Sequence, residues 1–302
     1  MKSSTPLITV VIPVYNGAET IQRAILSTLS QDYPNYEVLA VNDGSTDKTL
    51  EILKQIDSSR FRYISLDKNG GRSEARNTGV KNARGEYIAF LDADDAWMPN
   101  HLTSAIHHLS NRDSNWKATI TSHLFFNGKK WKKIIHTKEG DLFKDILMVN
   151  VSLGAGSTLV IEKSIFDEIG YFKKGLSRNE DLEFMLRYLL KYKLGATSEI
   201  SVKVHGHSSK PIGEEYLKAK KEYFKVFDEQ IRSLPVKTQN KVYARQWLQV
   251  ARAYSIEGNL KETINYLKIS LKSSLLFSKY IPIFPFEGYF VIILNLFKSL
   301  LR

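Results

Sequence analysis

Apolar positions fall into two alternating rhythms along the first ninety residues. Leu7–Val14 (LITVVIPV) is a continuous, β-branched apolar run, the pattern of a strand covered on both faces. In the next segment, NGAETIQRAILSTLSQ, the rhythm becomes helical, with Ile21, Ala24, Ile25, Thr28 and Leu29 on one stripe. The plan then repeats. Glu37–Val41 is predicted as a strand, and Ser45 or Thr46 with Asp47 marks a helix start. FRYISLD is a third strand, GGRSEARNTGVKNA a glycine-led helix and EYIAFLD a fourth strand. This alternation predicts βαβ units and a largely parallel sheet.

Beyond Trp97 the pattern loosens. NHLTSAIHHLS reads as a helix, and WKATITSHLFF and KKWKKIIHT read as strands of a mixed or antiparallel part. GSTLVIEKSIFDEIG is a strand leading into a helix, and EISVKVHGH a last strand ending in two histidines. SRNEDLEFMLRYLLKY is an amphipathic helix with Leu182, Met185, Leu186 and Leu189 on one stripe. From about Lys210 the chain becomes helical and basic. The expected organisation is therefore an α/β domain over residues 1–210 and a basic α-helical domain over 211–302. Within the latter, QWLQVARAYSIEGNLKETINYLKISLKS resembles one tetratricopeptide-type helix pair, with Trp247, Ala251, Tyr254, Gly258 and Leu267 at the matching offsets. In the apolar terminal stretch FPFEGYFVIILNLFKSLLR the uncharged run, Gly288 to Phe297, is too short to span a bilayer. It suits either a membrane interface or a protein groove, including a homodimer through the C-terminal helices.

Polar side chains gather where the predicted strands end: Tyr15 and Asn16, Asp43, Asp67, and Asp92, Asp94 and Asp95. Open α/β sheets bind ligands at that edge. Three carboxylates in four residues repel one another and call for a cation or a wet surface. Asp92-Ala93-Asp94 is a D-x-D pattern whose hard oxygen ligands suit Mg²⁺ or Mn²⁺. No Walker A motif is present and no G-x-G-x-x-G follows the first strand, so phosphates are not held in either of those two ways.

Charge and composition add little. The formal net charge is +11. Residues 211–302 hold 15 Lys and Arg against 8 Asp and Glu, which concentrates the excess in the smaller part. A basic face suits phosphates or anionic lipid, and no nucleic-acid recognition module is seen. There is no cysteine, which excludes disulfides and thiolate metal sites. No secretory leader pattern is seen at the N-terminus.

VVIPVYNGAETI, VNDGSTDKT, ARNTGVKNARGEYIAFLDADD and NEDLEFMLRY occur in this order across roughly residues 7–210. Together they resemble glycosyltransferase family 2, the GT-A-fold nucleotide-sugar transferases. The resemblance implies a Rossmann-like, mainly parallel mixed sheet flanked by helices, with a helical C-terminal domain. It implies an inverting transfer of sugar from a nucleotide-sugar, a UDP-sugar foremost, to a hydroxyl of a glycan or lipid-linked acceptor in surface polysaccharide synthesis. It assigns Pro13, Tyr15, Glu19, Asp43, Arg76 and Asp92 to the nucleotide side and Asp94 to Mn²⁺ or Mg²⁺. His205 matches the family's metal-shell histidine, with His207 as the competing choice. Val202 and Lys203 stand where the family often has a bulky aromatic and an Arg. Asp181 is the implied general base, and Glu180 orients or contacts the acceptor. The expected location is the cytoplasm, peripheral at the inner face of the cell membrane. The competing reading is a catalytically degenerate GT-A-like binding or scaffold protein.

Overall fold

The structure, a computed structural model, describes residues 5–110, 112–148, 155–176, 179–206 and 213–275. His207, Gly154 and the apolar terminal stretch lie outside them. The chain divides into two compact units: Met1–Phe143 with Leu153–Gly175 and Glu180–Ser208, and Lys144–Ser152 with Leu176–Asn179 and Ser209–Arg302.

The first unit is built on one sheet. Its elements run β1 (Ile8–Val14), α1 (Ile21–Leu29), β2 (Tyr36–Asn42), α2 (Thr49–Lys54), β3 (Phe61–Ser65), α3 (Arg72–Asn82) and β4 (Tyr87–Phe90). There follow β5 (Ala96–Trp97), α4 (His101–Ser110), β6 (Trp116–Phe126) and β7 (Trp131–Ile134). After α5 (Phe143–Leu147), which past Phe143 belongs to the second unit, come α6 (Ala155–Thr158), β8 (Leu159–Glu162), α7 (Ile165–Ile169), α8 (Glu180–Leu189) and β9 (Lys193–His205). The strand order is β3-β2-β1-β4-β8-β6-β9-β5, with β7 on β6. The four strands on one side are mutually parallel, as the alternating rhythm predicts. β8 runs antiparallel between β4 and β6, which makes the other half mixed.

Every residue of β1 and β2 is buried, which is why both read as unbroken apolar runs. The stripe on α1 (Ile21, Ala24, Ile25, Thr28) seals one face. α3 closes on the sheet at Gly79, where an added Cβ would stand 2.3 Å from Val11 Cγ1. β9 begins well before the predicted strand. Its partner β6 is eleven residues long, and parallel pairing with register shifts carries β9 through the unpatterned LGATS segment. His101 is a core residue, stacked on Trp97 at 4.1 Å with Nδ1 2.9 Å from Ser201 Oγ. Burial holds its imidazole neutral, with a pKa of about 3.

The second unit contains α9 (Gly213–Arg232), α10 (Val236–Glu257) and α11 (Leu260–Leu275). The helix pair expected from the repeat-like spacing is α10 and α11. It turns at Gly258, whose φ of 85° is left-handed and suits glycine. Trp247 and Tyr254 both stack on Tyr266, at 5.6 and 5.7 Å, and Phe224 of α9 covers Trp247 at 5.0 Å. The pair therefore buries its aromatic face against a third helix. Among the described residues, no helix is long and apolar enough to cross a membrane.

Replacing Gly79 by Ala overpacks the α3–β1 contact, and a loss of roughly 1–3 kcal/mol is expected. Denaturant unfolding reads it directly; an unchanged midpoint and slope would show that the two elements part at no cost.

Candidate active site

The site lies at the carboxyl edge of the parallel strands, in a cleft of about 870 Å³. Pro13, Tyr15, Glu19, Asp43, Asp92, Asp94 and His205, all expected in the site, line this one cleft. Arg76, Glu180 and Asp181 sit beside it rather than on its lining.

The wall that carries Tyr15 and Asp43 is a set of turns locked by side chains. Asn16 has φ 50°, a left-handed value that Asn tolerates. Its N–H donates to Ser45 Oγ and its Oδ1 accepts from Thr46 N–H, tying the turn after β1 to the turn after β2. Asp47 Oδ1 accepts the Thr49 N–H at the start of α2. Asp43 accepts the Gly70 and Gly71 N–H groups at 2.8 Å each, which fixes its carboxylate plane. Each oxygen retains a lone pair for another donor. Tyr15 is 48% exposed and lines the cleft wall.

The carboxylate cluster after β4 is resolved in three different ways. Asp92 accepts from Arg76 Nη2 at 2.9 Å. Arg76 also donates through Nη1 to Glu180 Oε1 at 2.9 Å, with both side chains buried. One guanidinium thus joins the D-x-D segment to the start of α8. Burial works against its charge, but Asp92, Glu180 and Asp181 hold its pKa above the ordinary value. Asp95 is deeply buried, and desolvation, with Asp92 and Asp94 nearby, pushes it up to about 7. Asp94 stays at the cleft, where Arg23 donates to its backbone oxygen.

Asp95 is a brace. Its Oδ2 accepts the Ser157 hydroxyl, and its Oδ1 accepts the His205 N–H at 2.8 Å. Ser157 Oγ in turn accepts the Asp92 N–H at 3.0 Å, and Ser157 O accepts Trp97 Nε1–H. Three segments distant in sequence are pinned together this way. Gly156 belongs to the same contact, since a Cβ there would stand 2.4 Å from Asp92 Oδ2.

Asp181 opens α8 beside Glu180. Burial, then Glu180, raise its pKa, against the opposing pull of Arg76. A carboxylate so raised is, when ionised, a stronger proton acceptor than an ordinary one. Asn179, just before it, has φ 62°.

The donor set for a divalent ion is incomplete by itself. Among the described residues no group of three His, Asp or Glu is arranged to hold a metal. Asp94 and His205 nonetheless line one cleft, and burial, then Arg23, keep the imidazole's pKa below its usual value. His205 Nδ1 is buried with no hydrogen-bond partner among the described residues. One carboxylate and one neutral imidazole fit an ion that completes its shell with phosphate oxygens and water.

The sequence reading missed the exposed cations of the cleft, Arg23 and Arg72. Arg72 is 57% exposed and 3.3 Å from Glu180 Oε1. The sequence reading put the residues around Gly154–Ser157 at the sugar pocket but missed the bracing contacts of Ser157 and Asp95. A basic residue in the first turn of a glycine-led helix was the available signal for Arg72; a serine on a four-residue helix gives none.

Because Asp95 has a folded-state pKa above its unfolded value, it stabilises fully only below the unfolded value, near 4. That contribution is lost as pH rises through about 7. The buried histidines titrate in the opposite sense, so the comparison is with Asp95→Asn. The unfolding midpoint of the native chain, minus that of the variant, should fall between pH 4 and 7 and then level. A flat difference would mean that Asp95 is ionised throughout.

The family model "Glycosyl transferase family 2" matches residues 9–170. An uncharacterized glycosyltransferase of Rickettsia typhi is 32% identical over 216 residues, covering 69% of this chain and 67% of that protein. The Escherichia coli enzyme WfaP, a UDP-Glc:α-D-GlcNAc-diphosphoundecaprenol β-1,3-glucosyltransferase, is 40% identical over 103 residues, covering 34% of this chain and 41% of that one. The chain spans about two thirds or less of these relatives' lengths. Among solved structures, S. aureus TarS 1-349 in complex with UDP-GlcNAc superposes with a TM-score of 0.59 at 18% identity, covering 92% and 94% of the two chains. That likeness is one of fold, a mixed GT-A sheet with flanking helices. The matched segment carries β1 through α7 and the D-x-D cluster, and on this match the chain belongs to glycosyltransferase family 2.

Proposed function

We propose that this chain transfers a sugar from a UDP-sugar to a hydroxyl of a glycan or lipid-linked acceptor, inverting the anomeric centre. The supporting observation is Arg76, which joins the D-x-D carboxylate Asp92 to Glu180 of the Glu180-Asp181 pair, the latter 104 residues from Arg76 in sequence. That linkage sets a phosphate-and-metal edge beside a raised-pKa carboxylate. The WfaP enzyme's UDP-glucose donor and lipid-diphosphate acceptor, together with the UDP-GlcNAc bound to TarS, favour this donor and acceptor class.

In this reading Tyr15 stacks on the base, Asp43 accepts from the imide N–H, and Pro13 and Glu19 shape the same wall. Asp94 and His205 would hold Mn²⁺ or Mg²⁺, which supplies positive charge against the diphosphate. Arg23 and Arg72 line the cleft where that diphosphate lies. Asp181 takes the acceptor hydroxyl proton as the acceptor oxygen bonds to the anomeric carbon. The bond from that carbon to the diphosphate oxygen breaks, and its electron pair leaves with UDP. Attack from the opposite face inverts the centre, as in base-assisted inverting glycosidases. Glu180 is tied to Arg76 and orients the pair. A lipid-linked acceptor places the reaction at a membrane face.

Asp181→Asn should lower transfer by about 10²-fold or more, the scale of a lost general base, with UDP affinity unchanged. Steady-state kinetics with calorimetry for UDP decides it; lost UDP affinity with normal turnover at saturation would assign Asp181 to the donor instead. Asp94→Ala should abolish the Mn²⁺-dependent part of UDP binding while the unfolding midpoint without ligand stays put. Equal UDP affinity with and without Mn²⁺ in the native chain would remove the metal from the account.

A further inference from the structure

Outside the cleft, one surface joins a large exposed aromatic to unpaired positive charge. In the β6–β7 hairpin, Phe126 stands opposite Trp131 on one side and opposite His205 of β9 on the other. The three rings form a three-membered cluster. Trp131 lies 5.1 Å from Phe126 and 5.2 Å from His205, at a steep angle to the imidazole, and Phe126 lies 6.5 Å from His205. His205 lines the cleft, so the cluster joins the cleft to the β6–β7 hairpin. Trp131 is 42% exposed. Lys129, Lys130, Lys132 and Lys133 flank it along the hairpin, all exposed, and none makes an ion pair among the described residues. Strand alternation puts Lys133 on the Trp131 face. Hairpin stabilisation accounts for the Phe126 contact. It does not account for the open part of the indole or for four clustered, unneutralised lysines, which repel one another.

We propose that Trp131 and these lysines form a docking platform for the acceptor, taken as a diphosphate-linked saccharide. The proposal rests on the transferase reading above. An exposed indole offers a flat apolar face to the C–H side of a pyranose ring. Lysine ammonium groups suit the point charges of a diphosphate. Neither half of the platform selects such a ligand alone; the pair does. The His205 contact makes the platform continuous with the donor cleft, which places the acceptor end beside the transferable sugar.

The test uses the full chain with saturating UDP and Mn²⁺, so that the donor cleft is filled. The probe is N-acetylglucosamine diphosphate carrying a short water-soluble alkyl ester, titrated by calorimetry against N-acetylglucosamine alone and against pyrophosphate. The native chain should bind the diphosphate-saccharide at least tenfold more tightly than either fragment. Trp131→Ala should weaken it at least tenfold, and Trp131→Phe should recover most of that loss. Replacing Lys129, Lys130, Lys132 and Lys133 by Gln should weaken it about tenfold and flatten its salt dependence. UDP affinity should be unchanged in all variants. Equal probe affinity in native chain and variants, or no binding by the native chain, overturns the platform. Tighter lysine-dependent binding to phosphatidylglycerol vesicles than to the probe overturns it too, giving the patch to a lipid surface. If UDP fails to bind while the probe still depends on Trp131, the platform stands and the donor reading falls.

Discussion

A buried guanidinium holds this site together. Arg76 rises from α3, which is itself pressed onto β1 at Gly79, and its two amino groups reach Asp92 and Glu180. Removing one partner of such a pair leaves an uncompensated buried charge, which typically costs about 3–5 kcal/mol. The geometry therefore comes as a set. The strand end, the helix α3 and the start of α8 keep their mutual positions only while the fork is filled on both sides.

The three carboxylates after β4 are tolerable because they do not share one environment. Asp92 meets a cation, Asp95 is pushed toward its protonated form by burial, and Asp94 is left at the cleft. Asp95 uses its position differently from its neighbours: it binds Ser157 and the backbone of His205, so the residue that cannot easily ionise becomes the brace. Asp94 and His205, on one cleft, are the two ligands that the proposed reading gives to a divalent ion.

Much of the parallel half was legible because its cause is local. β1 and β2 are buried on both faces, and that alone makes them unbroken apolar runs. The α1 stripe and the Gly258 turn were likewise written in residue spacing. The D-x-D cluster was legible as a site because it follows a buried strand. The insertion of β8 between β4 and β6 was not, since strand order depends on pairings that leave no periodic trace. The two-residue β5 is too short to carry a pattern. The motif blocks put Arg76 with the nucleotide, and the structure joins it to two carboxylates, Asp92 and Glu180. Nothing near EARN announces a partner 104 residues away.

A double-mutant cycle on Arg76 and Glu180 tests the central claim most directly. Unfolding free energies are measured for Arg76→Met, Glu180→Gln and the pair. The account predicts that the double variant loses less than the sum of the singles by about 1 kcal/mol or more, within the range found for contacting charged groups. Losses that add to within roughly 0.3–0.5 kcal/mol, the behaviour of independent sites, would contradict it and leave Arg76 a bystander to the Glu180-Asp181 pair.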